Sequence, residues 1–78
     1  MSAAFDKLKK CFVEAFAVDP AAFTPETTPM QVPNWDSLGH VRLVTAMQKE
    51  FGVEFDVSEI MQMEDVPQIL DILKQRGL

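Results

Sequence analysis

The sequence predicts an all-α fold, a small four-helix bundle with a long loop between helices 1 and 2 and a short helix 3. Apolar residues recur at helical spacing in separate segments, and residues suited to helix caps precede most of those segments. No strand finds a partner: the alternating stretch 53-VEFDV-57 is short and runs directly into a cap, so it reads as a connector.

The first helix is expected from about Ser2 to Val18. Phe5, Leu8, Phe12 and Phe16 share one side with Ala15 beside them, Lys7, Lys10 and Glu14 lie elsewhere, and Ser2 is placed to cap. Asp19-Pro20 stops it, because the proline ring disfavours helical geometry in the residue before it. The following 20-PAAFTPETTPMQVPN-34 has four prolines and no sustained period, which predicts a loop. Phe23, Met30 and Val32 are expected to pin this loop to the core, with one helical turn at PAAF. Loops of this length in small domains tend to be functional or mobile.

The second helix gives the clearest signal. In 34-NWDSLGHVRLV-44, Asp36 is placed as N-cap, accepting from the free amide of Leu38 or Gly39, and an apolar stripe opens at Leu38. His40, Val41, Leu43, Val44, Met47 and Phe51 fall in one arc opposite Arg42, Thr45 and Lys49, and Gly52 is placed to end the helix. Asp56-Val57-Ser58-Glu59 and Asp65-Val66-Pro67-Gln68 each read as a capping box that opens a shorter helix. The last helix sets Val66, Ile69, Leu70 and Leu73 on one face and has Gly77 just past its end.

At 78 residues the chain is expected to form one domain, 1–78. A core of that size buries only about 60–65% of the surface the unfolded chain exposes. Met47, Met61 and Met63 predict that part of this core is adaptable. Cys11 is the only cysteine, so it reads as a packed small hydrophobe in a reducing, intracellular protein. The start MSAAFDKLKK lacks the apolar run of a signal peptide, and no segment approaches the roughly 20 apolar residues of a membrane span. These features predict a cytoplasmic monomer with no membrane insertion. A net charge of −5 argues against direct nucleic-acid binding, which needs a basic face. Most of that charge lies in residues 52–78, where Glu54, Asp56, Glu59, Glu64, Asp65 and Asp71 outweigh Lys74 and Arg76. Such a patch is either a solvated surface or a docking face for basic partners.

Ser37 is the residue with chemical potential. It follows the cap, beside unpaired backbone amides and the positive end of the helix dipole, where an attached phosphate is stabilised. Gly39 costs about 1 kcal/mol of helix propensity relative to alanine, and its missing bulk is read as clearing an approach to Ser37. The bland alternative is that Ser37 is a good first-turn residue and nothing more. Ser37 and His40 are one turn apart, yet no third group orients the imidazole, and His40 lies in the apolar arc where a structural histidine is the commoner role. One histidine and one cysteine, far apart, make no zinc site, and the acids of 54–65 lack the order of a calcium loop. No catalytic residue and no metal ligand is therefore expected.

Asp36-Ser37-Leu38, the run Val41-x-Leu43-Val44-x-x-Met47, the exit Phe51-Gly52-Val53-x-Phe55, Glu59-Ile60, and the Val66 to Leu73 pattern together resemble the acyl carrier protein family over nearly the whole chain. The resemblance implies a four-helix domain whose Ser37 is modified by 4′-phosphopantetheine from coenzyme A. A separate phosphopantetheinyl transferase supplies Mg²⁺ and a base for attack of the serine on phosphorus. The arm then holds acyl groups as thioesters and delivers them to acyl-loading and acyl-processing enzymes, while the protein catalyses nothing.

Members serving general fatty acid synthesis resemble one another in a strongly acidic second helix read by basic partner enzymes. Here Asp36 is kept, but that face shows Gly39, Arg42, Gln48 and Lys49, with Glu50 as the one added acid. The expected partner-recognition residues are Asp36, Leu38, Gly39, Arg42 and Thr45, in a specialised fatty acid, polyketide or other secondary-metabolite pathway. Two alternatives stay open: an aminoacyl or peptidyl carrier, and an unmodified helical interaction domain.

Overall fold

In a computed structural model that describes residues 3–78, the chain forms α1 (Ala3–Phe16), α2 (Ser37–Phe51), α3 (Val57–Gln62) and α4 (Val66–Gln75), with no strand among the described residues. The proposed cap Ser2 lies outside the described residues. The four-helix architecture and the short third helix match the expectation.

Helix α1 ends earlier than the proline signal implied. Ala17 turns left-handed, with φ 56°, and its N–H still reaches the Val13 carbonyl at 2.9 Å. Phe12, fully buried, is the centre of the aromatic packing below. Its ring lies 4.5 Å from Phe23 and 5.1 Å, edge-on, from Trp35, while Phe5 stacks on Phe23 at 5.6 Å. Burying one such ring contributes about 1.5–3 kcal/mol, so α1 and the long loop are held by the same residues.

That loop is less irregular than its composition suggested. Asp19 Oδ1 accepts from the Ala21 N–H, and the Asp19 carbonyl accepts from Ala22 at 3.0 Å, which closes the single turn expected at PAAF. Thr27 is buried and its Oγ1 accepts from the Thr24 N–H. Pro29–Gln31 forms a 3-10 turn that no periodicity announces, secured by the Gln31 side chain accepting from the Thr28 N–H. Phe23 and Val32 anchor the loop as expected, but Met30 does not: it is 97% exposed. The tight turn leaves its side chain in solvent, while Phe23 and Val32 on either side of the turn enter the core.

Helix α2 packs principally on α1. Leu43, Val44, Ala46 and Met47 are buried, whereas His40 and Phe51 are half-buried. Val41 corrects the expected arc, being 61% exposed, because α1 covers the side carrying Ala46 and Gly39 and leaves the Val41 edge open. Gly52 ends the helix in the left-handed region, φ 66°, where a side chain would be strained. Beyond it, Gln48 Oε1 accepts from the Phe55 N–H at 3.0 Å.

The capping box at α3 is complete: Asp56 accepts from the Glu59 N–H at 2.8 Å and Glu59 accepts from the Asp56 N–H at 3.1 Å. At α4 only half of the expected box forms, Asp65 accepting from the Gln68 N–H at 2.9 Å while Gln68 stays exposed. Val66, Ile69, Ile72 and Leu73 fill the core from α4, and Met63 enters from the α3–α4 junction. Met61 is 73% exposed, so the adaptable part of the core is limited to Met47 and Met63.

Candidate functional site

The site begins with the cap of α2. Asp36 Oδ1 accepts from the Gly39 N–H at 2.9 Å, and the Asp36 carbonyl takes the His40 N–H at 2.7 Å, which fixes where the helix starts. Ser37 is thereby the first helical residue, exposed, with its hydroxyl free of any hydrogen bond among the described residues. The Ser37 and Leu38 amides precede the first intrahelical bond and sit at the positive end of a 15-residue helix.

Gly39 has a different purpose from the one expected. It is buried, and a Cβ built there would lie 1.9 Å from the Asn34 carbonyl oxygen and 2.8 Å from the Phe16 ring. The missing side chain therefore lets the loop end and α1 pack against the start of α2; it does not clear space in front of Ser37. Asn34, left-handed at φ 68°, makes the turn that brings its carbonyl there.

Trp35 and His40 hold the other side. The Trp35 indole N–H donates to His40 Nδ1 at 3.0 Å, and His40 Nε2 lies 2.9 Å from the Ile60 carbonyl. Because an indole nitrogen only donates, Nδ1 must accept and Nε2 must carry the hydrogen that Ile60 receives. His40 is thus a structural residue that ties the loop, α2 and α3 together, with both ring nitrogens committed. This bridge, which neither periodicity nor a motif announces, forms one wall of a groove of about 340 Å³ beside Ser37. Pro29, Ile60, Met61 and Glu64 help line that groove.

Of the other residues named from the sequence, Leu38, Arg42 and Thr45 are exposed along α2 beyond Ser37, and the Thr45 hydroxyl donates to the Val41 carbonyl. Ser58, the other described serine, is a weaker candidate. It lies inside the six-residue α3, and its Oγ already accepts from Gln62. No cluster of three or more potential metal ligands occurs among the described residues. Among them, no helix is long and apolar enough to cross a membrane.

Ser37 thus stands exposed and unengaged at a helix start, beside a shallow groove and not inside an enclosing pocket. Residues 6–73 match the phosphopantetheine attachment site family. The chain is 32% identical over 71 residues to an acyl carrier protein of Thermosynechococcus vestitus, covering 91% of this chain and 88% of that one. It is 33% identical over 76 residues to an acyl carrier protein of Campylobacter jejuni subsp. jejuni, covering 94% and 99%. The chain belongs to the acyl carrier protein family, whose members carry a covalent 4′-phosphopantetheine.

Proposed function

We propose that Ser37 is the attachment residue and that the protein is a carrier, not a catalyst, for acyl groups. The supporting observation is its position: an exposed hydroxyl on the first residue of a well-capped helix, next to the free amides of Ser37 and Leu38. Those amides and the helix dipole favour the negative charge of a phosphodiester, while the Asp36 carboxylate is held on the Gly39 N–H. When attached, the group supplies a flexible arm ending in a thiol that bears acyl cargo as a thioester. Among the described residues no base is hydrogen-bonded to the Ser37 hydroxyl, and both His40 nitrogens are engaged, which suits a serine modified by a separate transferase.

The charge pattern of α2 supports a specialised fatty acid, polyketide or other secondary-metabolite pathway over general fatty acid synthesis, because Arg42 and Lys49 replace the acids that basic partners would meet. The test of attachment is to incubate the protein with coenzyme A and a broad-specificity phosphopantetheinyl transferase and then weigh it. The expected result is the gain of one 4′-phosphopantetheine, abolished in Ser37→Ala. No gain, or a gain that survives the substitution, contradicts the assignment.

A further inference from the structure

We propose that the hydrogen bond from the Trp35 indole to His40 is a proton-operated catch: it fixes the end of the long loop to α2 while His40 is neutral, and lets go when His40 is protonated. The inference goes beyond the carrier reading and holds whatever Ser37 bears. It follows from the donor and acceptor chemistry of the three groups in the bridge.

The indole nitrogen can only donate, so at 3.0 Å it requires a bare lone pair on His40 Nδ1. The single proton of the neutral ring then sits on Nε2, facing the Ile60 carbonyl at 2.9 Å. A second proton has one place to go, Nδ1, where it would point at the indole N–H. An imidazolium has two donors and no acceptor, so turning the ring over does not restore the bond. The Ile60 carbonyl, by contrast, accepts equally well from a charged ring, and a charged donor strengthens that bond. Protonation therefore separates Trp35 from His40 and leaves the tie to α3 in place.

The ring arrangement offers the charge no compensation on Trp35. The two planes lie within 16° of each other with centroids 6.3 Å apart, so the rings meet through N–H and N and not face to face. A cation at the edge of an aromatic ring meets the positive part of its quadrupole. The carboxylates around His40 favour its charged form instead. Asp36, from the cap, and Glu64, from the α3–α4 junction, line the same groove as His40. On α3, Glu59 is tied to Arg76 of α4, and on α2 the next charged residue, Arg42, lines a different groove, toward α1. The α1 side chains that meet Trp35 are the apolar Phe12 and Phe16. Both rings of the catch are half-buried, so a proton can reach His40 in the folded protein.

The segment released is the one that leads into the site. Trp35 lies two residues before Ser37, and its neighbour Asn34 supplies the carbonyl against Gly39. Acid would thus free the wall of the groove beside Ser37 from the loop side, while α3 stays fixed.

A double-mutant cycle on the chain without an arm tests this. Folding equilibria of the parent, Trp35→Phe, His40→Gln and the double variant are measured by urea denaturation and circular dichroism at pH 8 and pH 5, which bracket ordinary imidazole titration at about 6.5. The expected coupling between the two residues is about two- to tenfold in the folding equilibrium constant at pH 8, the net effect of one hydrogen bond, and is lost at pH 5. Coupling of the same size at both pH values, or none at pH 8, overturns the proposal. Should a variant fail to fold, hydrogen exchange in the parent decides, with the intrinsic pH dependence of exchange divided out. The Trp35 indole N–H should lose protection between pH 8 and pH 5 while the Ile60 and Met63 amides of α3 keep theirs. An indole that stays protected, or α3 amides that open with it, overturns the catch. Neither result bears on the assignment of Ser37.

Discussion

A Cβ at position 39 would come within 1.9 Å of the Asn34 carbonyl oxygen, which belongs to the backbone and cannot rotate away. Gly39→Ala should therefore be destabilising although alanine is the better helix former: overpacking costs about 1–3 kcal/mol, against about 1 kcal/mol of propensity gained. Chemical denaturation followed through Trp35, the one tryptophan, checks this, and an unchanged or raised midpoint would contradict the packing account. Gly39 also marks a limit of sequence reading. Its presence on the first turn was visible, but its reason depends on where a loop residue five positions earlier places its carbonyl. Met30, Val41 and Met61 were misplaced for a related cause: periodicity ranks the faces of an element, but only the packed neighbours determine which edges are covered.

Between elements, the caps were the most legible features, because a carboxylate bonding to an amide three residues on is a local event. Asp36 and Asp56 behave as their spacing predicts. The tie between α3 and the end of α4 was not legible, since it joins residues 17 positions apart: Arg76 Nε donates to Glu59 Oε2 at 2.8 Å, its other arm engages Glu59 Oε1, and its guanidinium lies over the Phe55 ring. The Arg76 hydrogen bonds, with that from the Asp56 backbone, lower the Glu59 pKa from an ordinary 4.5 to about 2. A depressed carboxylate stabilises the fold above its unfolded value and loses that contribution as pH falls through the folded one. Glu59→Gln, which keeps an acceptor for the Asp56 N–H, should therefore melt below the parent protein at pH 7, and the gap should close between about pH 4.5 and 2. A gap unchanged across that range would contradict the ion-pair assignment.

For the whole molecule, the helical class and the exposed position of Ser37 on the first turn of α2 were readable from a short motif set in the right pattern of helices, while the Trp35–His40–Ile60 bridge required the folded chain. The core also separates structural from functional sulfur. Burial, reinforced by Glu50 and Glu14, raises the Cys11 thiol to about 12, so it stays protonated and inert in the native protein. The unmodified chain should give no fast reaction with a thiol reagent at pH 8, and the arm-bearing chain one fast thiol; a rapidly reacting unmodified chain would contradict the buried assignment. The raised value also implies stability that declines as pH rises from about 9 toward 12, where the unfolded thiol ionises and the folded one does not. The central claim is that one residue, Ser37, bears the arm. Fragmentation mass spectrometry of the transferase-treated protein tests it most directly: the account predicts the 4′-phosphopantetheine mass on residue 37 alone, and finding it on Ser58, or on any other hydroxyl, would contradict it.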